Sequence, residues 1–448
     1  MPLPPRLVIV IGTYDGVLGG WEKQYDGSLK LTLATSVHQG SLRCLSMAAS
    51  PNNEYPGTLL SCGYDEMLKT HDWAKRLNSS GEVRTPSDFG TPVCSSFAPP
   101  HAAPSTHCVV GFAGGKITLY KKRDWSLQHV LAGHDGGVSA LGVHPSGKLA
   151  LSGGQSDGKL KLWDLTKGRL AYASKLTPTA IRGGRSVFDP VISIVWTQDG
   201  DAYAWAYGNH ITVRDVATGK DLLDVELPGK VNQITIMEGE DGIFVAAACN
   251  DGSLPVLSVG AVDEDESTRR AIMAIEAVEG VVAGEERFKC IQATNYGYQV
   301  ITANSAGVVS VMDLQGAINM MMNEESDPPE SDGGDQGERS AQVDKDDSDD
   351  DDDVELAVDI IASVQLGSGA RVTCLAAWAS HLELEEDIDE EEQDVTDTED
   401  VHEKVENEKQ DRKRKDLGTT EVALDSSAVE KARALVSQAK KLEKKRAR

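Results

Sequence analysis

The chain has 448 residues, with 44 Lys and Arg against 71 Asp and Glu, a formal charge of −27. An excess of that sign argues against a generic nucleic-acid or membrane-surface protein, because both need a positive face. Hydrophobic content of 40% suffices for a large core, while 5% aromatics and 43 glycines favour tight turns and small packed strands over aromatic-rich helices.

The N-terminus, MPLPPRLVIVIG, has too short an apolar stretch for a secretory signal. The longest apolar runs, such as Leu7 to Ile11 and Gly242 to Cys249, fall far short of the roughly 18 to 20 residues of a membrane span. An intracellular protein with no membrane contact is expected. The seven cysteines (Cys44, Cys62, Cys94, Cys108, Cys249, Cys290, Cys374) are odd in number and contain no CxxC, so reduced buried thiols are expected rather than a disulfide framework or zinc ribbon.

From the start, RLVIVIGTYDGVLGGWE (6–22) reads as a two-strand hairpin that turns at Asp15 and lacks a first strand. Residues 36–73 keep His38, Ser61 and Asp65 in a hairpin pattern that recurs over 91–125, 132–169, 190–220, 230–260 and 287–314. The clearest copy is 132–169: Gly133-His134, an alternating strand from Val138 to Val143, a Pro-Ser-Gly turn, a strand from Leu149, an Asp157-Gly158 hairpin and Trp163-Asp164. Gly-His followed by Trp-Asp is the WD-repeat signature. The central turns fall at Asp65, Gly114, Asp157, Asn209, Asp251 and Ala306, with separations of 49, 43, 52, 42 and 55 residues, slightly above the ~40 to 45 of a propeller blade. ARVTCLAAW (370–378) is a first strand without its hairpin, so the two ends join as a seventh blade and remove the open sheet edges.

Within the 132–169 copy, His134, Ser152, Asp157 and Trp163 stand where WD-repeat blades build a buried hydrogen-bond chain; in 36–73, His71 takes the Trp position. Such a satisfied network rigidifies a blade and leaves no exposed hydrolase nucleophile. GVHPSGKL (142–149) has phosphate-loop spacing, but Leu149 replaces the Ser/Thr and strands flank it on both sides, so it reads as a β-turn. The histidines are scattered with no HExxH, and the Asn78-Ser79-Ser80 sequon carries no meaning inside a cell. Cysteines recur at the first-strand position (Cys44, Cys94 or its neighbour, Cys290, Cys374), where small side chains pack near the axis. No catalytic residue, metal site or cofactor is expected.

The charge sits outside these units. Residues 324–353 hold 15 acidic and two basic side chains, and 383–400 hold 12 acidic and none basic. Both runs are expected to be disordered. Between them, 354–378 reads as a strand cut off from its neighbours. From 401 to 448 the balance reverses to 14 basic against nine acidic residues. Arg412, Lys413, Arg414 and Lys415 form one basic group; Lys440, Lys441, Lys444, Lys445 and Arg446, with Arg448, form a second. Both are candidates for nuclear import or rRNA contact. Apolar spacing from Val429 to Leu442, with a Ser427/Glu430 capping box, predicts a terminal helix too weak to stand alone, which would order on a partner.

HPSGKLALS (144–152), IGTYDGVLGGWE (11–22), EERFKC (285–290) and the isolated strand ARVTCLAAW resemble the p21-activated-kinase-interacting WD-repeat family, whose fungal members are large-ribosomal-subunit assembly factors. The resemblance covers residues 6–378. It implies a nucleolar or nuclear, non-catalytic scaffold bound to pre-60S assembly factors and ribosomal proteins, monomeric within the larger particle, while the basic tail by its own charge is a candidate for rRNA contact. The alternative it implies is a negative regulator that binds the regulatory region of a p21-activated-type kinase.

The expected fold is all-β: a seven-bladed WD-repeat β-propeller with an acidic disordered insertion and a C-terminal basic helical tail. The expected organisation is 1–323 as the N-terminal hairpin plus six repeat units, 324–353 as the insertion, 354–379 as the closing strand of the shared blade, and 380–448 as the acidic-then-basic tail.

Overall fold

Valine, isoleucine and leucine runs bounded by glycine turns form strands, and here they form seven four-stranded antiparallel sheets. A computed structural model describes residues 7–24, 26–50, 56–73, 79–100, 104–182, 185–260, 272–275, 286–294, 297–324, 358–367 and 369–379. The acidic insertion beyond Glu324 and the whole tail from 380, with its predicted helix, lie outside these described residues.

Blade 1 is the shared one. From the axis outwards its strands are Val372–Ala379, Leu7–Thr13, Val17–Lys23 and Leu29–Ser36, so the last described strand of the chain pairs with the first. Blades 2 to 7 follow in chain order, with inner strands Leu42–Ala49, Pro92–Ala98, Val138–Val143, Val191–Trp196, Val231–Gly239 and Phe288–Ala293. Each inner strand contacts the next around the ring, and the seventh contacts the closing strand. The fold is a seven-bladed β-propeller.

The stretch expected to be one closing strand supplies two. Asp359–Gln365 pairs with Val308–Asp313 as the outer strand of blade 7, and Val372–Ala379 alone closes blade 1. The reason is the turn between them: Gly367 and Gly369 reverse the chain, and Leu366 N–H donates to the Gly307 carbonyl at 2.9 Å, ending the outer strand there. Three further features depart from the sequence reading. Leu29–Ser36 adds an outer strand to the N-terminal hairpin. A helix, Gln315–Glu324, buries Ala317 and Ile318, the latter against Met237, Phe244 and Tyr298. A small ribbon, Ala180–Arg182 with Arg185–Val187, projects between blades 4 and 5 and leaves Ile181 75% exposed.

Strand burial follows position in the blade. Every residue of Leu7–Thr13 is buried because neighbouring blades cover both of its faces, whereas no residue of Leu29–Ser36 at the rim is fully buried. Every inner strand also carries one extra residue near its start: Thr373, Arg43, Val93, Ser139, Ile192, Asn232 and Lys289, each skipped by the strand pairing. A bulge of this kind bends the strand and re-aims the extra side chain.

Candidate interaction surface

The two ends of the ring are defined by hydrogen bonds. The N–H of Tyr14, Tyr64, Ala113, Gln155, Asn250 and Ser305, each in the turn between second and third strands, donates to the carbonyl just before an inner strand (Arg371, Ser41, Thr91, Gly137, Lys230, Arg287) at 2.8–2.9 Å. One face of the propeller therefore gathers these hairpins and the bulges; the connections from third to fourth strands, including the helix, lie on the other.

Buried polar chains fix the hairpins of two blades. In blade 4, Trp163 Nε1–H donates to Ser152 Oγ at 2.8 Å, Ser152 Oγ lies 2.7 Å from His134 Nε2, and His134 Nδ1 lies 3.0 Å from Asp157 Oδ2. An indole N–H can only donate, so the serine hydroxyl donates to His134 and the imidazole donates to Asp157. In blade 2, His71 replaces the tryptophan: His71 Nε2, Ser61 Oγ, His38 Nε2, then His38 Nδ1 and Asp65, with every link at 2.9 Å. The carboxylate accepts only, so the protons run in the same direction here.

Burial pushes His38 and His134 below the ordinary histidine range against the pull of their aspartates, and takes His71 down to about 4. The His–Asp pairs are thus hydrogen bonds of neutral imidazoles. Ser152 has no exposure and both His134 nitrogens are engaged, so this His–Ser–Asp set offers no nucleophile.

The chemistry demands glycines that composition alone does not reveal. A Cβ on Gly154 would collide with Asp157 and His134, one on Gly63 with His38 and Asp65, and one on Gly133 with the Trp163 ring. Blade 7 ties its hairpin differently: Asn304 Nδ2–H donates to Glu286 and Asn304 Oδ1 accepts the Val308 N–H at 2.8 Å. In blade 5, Asn209 Nδ2–H donates to the Leu227 carbonyl at 2.8 Å. The repeat spacing marks Asn209 as a turn position, whereas Asn304 carries no such mark.

The 142–149 stretch is a turn between two strands. His144 N–H donates to the Leu149 carbonyl and Gly147 N–H to the His144 carbonyl, with Gly147 at φ +67°, a conformation that favours glycine. Cys374, Cys44, Cys94 and Cys290 share one register position in blades 1, 2, 3 and 7, directly after the bulge. Burial raises the thiol pKa of Cys94, Cys374 and Cys290, the last to about 12, so these remain protonated packing groups. Among the described residues no group of three or more His, Cys, Asp or Glu side chains is placed to hold a metal ion. The import and RNA-contact candidates, Arg412 to Lys415 and Lys440, Lys441, Lys444, Lys445 and Arg446, lie outside the described residues.

The WD domain, G-beta repeat family model matches residues 125–164, the outer strand of blade 3 and the first three strands of blade 4. A p21-activated protein kinase-interacting protein 1-like of Xenopus laevis is 25% identical over 224 residues, covering 50% of this chain and 55% of the relative. The chain is similar to the p21-activated-kinase-interacting WD-repeat proteins. Shk1 kinase-binding protein 15 of Schizosaccharomyces pombe is 29% identical over 165 residues, 36% of this chain and 45% of that one. Telomerase Cajal body protein 1 of Rattus norvegicus is 31% identical over 147 residues, 32% of this chain and 26% of that one. The chain thus spans at most about half the length of these curated relatives. Two of these relatives are named for interacting with or binding a kinase.

Proposed function

We propose that this propeller is a non-catalytic scaffold in assembly of the large ribosomal subunit, working in the nucleolus with pre-60S assembly factors, ribosomal proteins and precursor rRNA. What carries the reading is the closed ring with its polar sets consumed inside the blades. That is the build of a rigid docking platform, and it comes with the family resemblance to fungal assembly factors. The basic groups at Arg412–Lys415 and Lys440–Arg446 support nuclear import and particle contact. A relative named for the Cajal body supports a nuclear setting.

The test is affinity purification of the tagged full chain at low salt, with precursor rRNA measured after depletion. Large-subunit factors in the eluate and accumulation of large-subunit precursor rRNA are expected. Diffuse cytoplasmic fluorescence with unchanged precursors would refute the reading. A second reading, inhibition of a p21-activated-type kinase through its regulatory region, is favoured by the names of the frog and yeast relatives. Recovery of such a kinase without ribosomal factors would select it.

A further inference from the structure

Five cations crowd one arc of the hairpin face. Lys230, Arg287 and Arg371 immediately precede the inner strands of blades 6, 7 and 1, where their carbonyls hold the hairpins. Arg43 and Lys289 are the bulge residues of blades 2 and 7. Blades 6, 7, 1 and 2 are consecutive around the ring, so the five form a crescent at one mouth of the central channel. Arg43, Lys230, Arg287 and Arg371 are exposed and Lys289 is half-buried. Among the described residues no carboxylate forms an ion pair with any of them.

Among the described residues, Asp65, Asp251 and Glu286 on this face keep their charge but are turned into their own hairpins, accepting from His38, Ser253 and Asn304. Asp15 and Glu66 lie in the turns as well. Beside the crescent stand the rings of Tyr14 and Tyr64, 59% and 63% exposed, in the same turn of adjacent blades. Tyr14 is tied through its N–H to the Arg371 carbonyl at 2.9 Å.

We infer that this mouth binds single-stranded RNA, with the crescent pairing backbone phosphates and Tyr14 and Tyr64 stacking on bases. Unpaired cations beside exposed aromatic faces are the two elements of a single-strand platform. An acidic peptide would use the cations and leave both rings idle. RNA rather than DNA rests on the assembly reading; binding by the purified protein is measured apart from localisation and rRNA maturation, so either can fail without the other.

The test uses the full chain and a fluorescein-labelled mixed-sequence RNA of about 16 nucleotides, titrated at several salt concentrations. The Arg43→Gln/Lys230→Gln/Arg371→Gln variant should bind at least tenfold more weakly, with the slope of log affinity against log salt shallower by about two. Tyr14→Ala and Tyr64→Ala should each weaken binding about tenfold while leaving the salt slope unchanged. Neutralising Arg412 to Lys415 should leave these losses in place. Unchanged affinity in the crescent variant, loss confined to the tail variant, tighter binding of the same sequence as DNA, or a polyglutamate peptide that RNA cannot displace would each overturn the inference.

Discussion

At the scale of single residues, the two polar chains show how one architecture tolerates different members. Ser152 is the hinge of the first: Ser152→Ala would leave a buried indole N–H and a buried imidazole nitrogen without partners, a loss of about 2 to 3 kcal/mol readable as a lower urea midpoint. Gly154→Ala should cost about 1 to 3 kcal/mol by pressing a methyl onto Asp157 and His134. His71 carries a pH signature that Trp163 cannot. Its folded-state pKa, about 4, lies below the unfolded value near 6.5, so the unfolded chain takes up protons first as pH falls. Stability contributed by a neutral His71 is complete above about pH 6.5 and is lost as pH drops towards 4, on the order of 3 kcal/mol in all. His71→Gln keeps a donor for Ser61 without a titrating ring; urea midpoints between pH 7 and 4 should then fall less steeply than in the parent, and identical slopes would rule His71 out as the source.

At the scale of elements, one side chain adds a pair of hydrogen bonds to the apolar core shared by blade 7 and blade 1. Gln292 Nε2–H donates to the Ala377 carbonyl at 3.2 Å and its Oε1 accepts the Ala377 N–H at 2.9 Å, copying a strand pair between two blades. Gln292→Ala should therefore lower stability by about 1 to 3 kcal/mol and speed amide exchange at Ala377 before that of the blade interiors. Much of this level could be read beforehand. Asp15, Asp65, Gly114, Asp157, Asn209, Asp251 and Ala306 all fall in the turns between second and third strands, because glycine, asparagine and aspartate, or for Ala306 the glycine that follows it, mark tight turns whatever surrounds them. Outer strands such as Leu29–Ser36 were harder to see, since a rim strand buries little and its apolar pattern fades. The split of 354–379 into two strands of different blades depends on which partner edge is free, and local sequence does not record that. Gln292 and the crescent cations were invisible for the same reason: their roles arise from register and neighbouring blades, with no motif of their own.

At the scale of the whole molecule, closure governs stability. A chain ending at Ala379 keeps all seven blades, while one ending at Gln365 leaves Leu7–Thr13 as an open, fully apolar edge. The first should melt as one cooperative transition close to that of the full chain; the second should melt many degrees lower and self-associate on light scattering. Equal melting of the two would refute ring closure by the shared blade. The same pairing sets a timetable during synthesis. Thr373 Oγ1–H donates to the Gly12 carbonyl across 361 residues, so one of the first strands to leave the ribosome waits for one of the last described. Nearly the entire propeller must be translated while that strand lacks its neighbour, a contact order that slows final folding. A nascent chain that stalls anywhere before Val372 would present an apolar edge for a chaperone to cover.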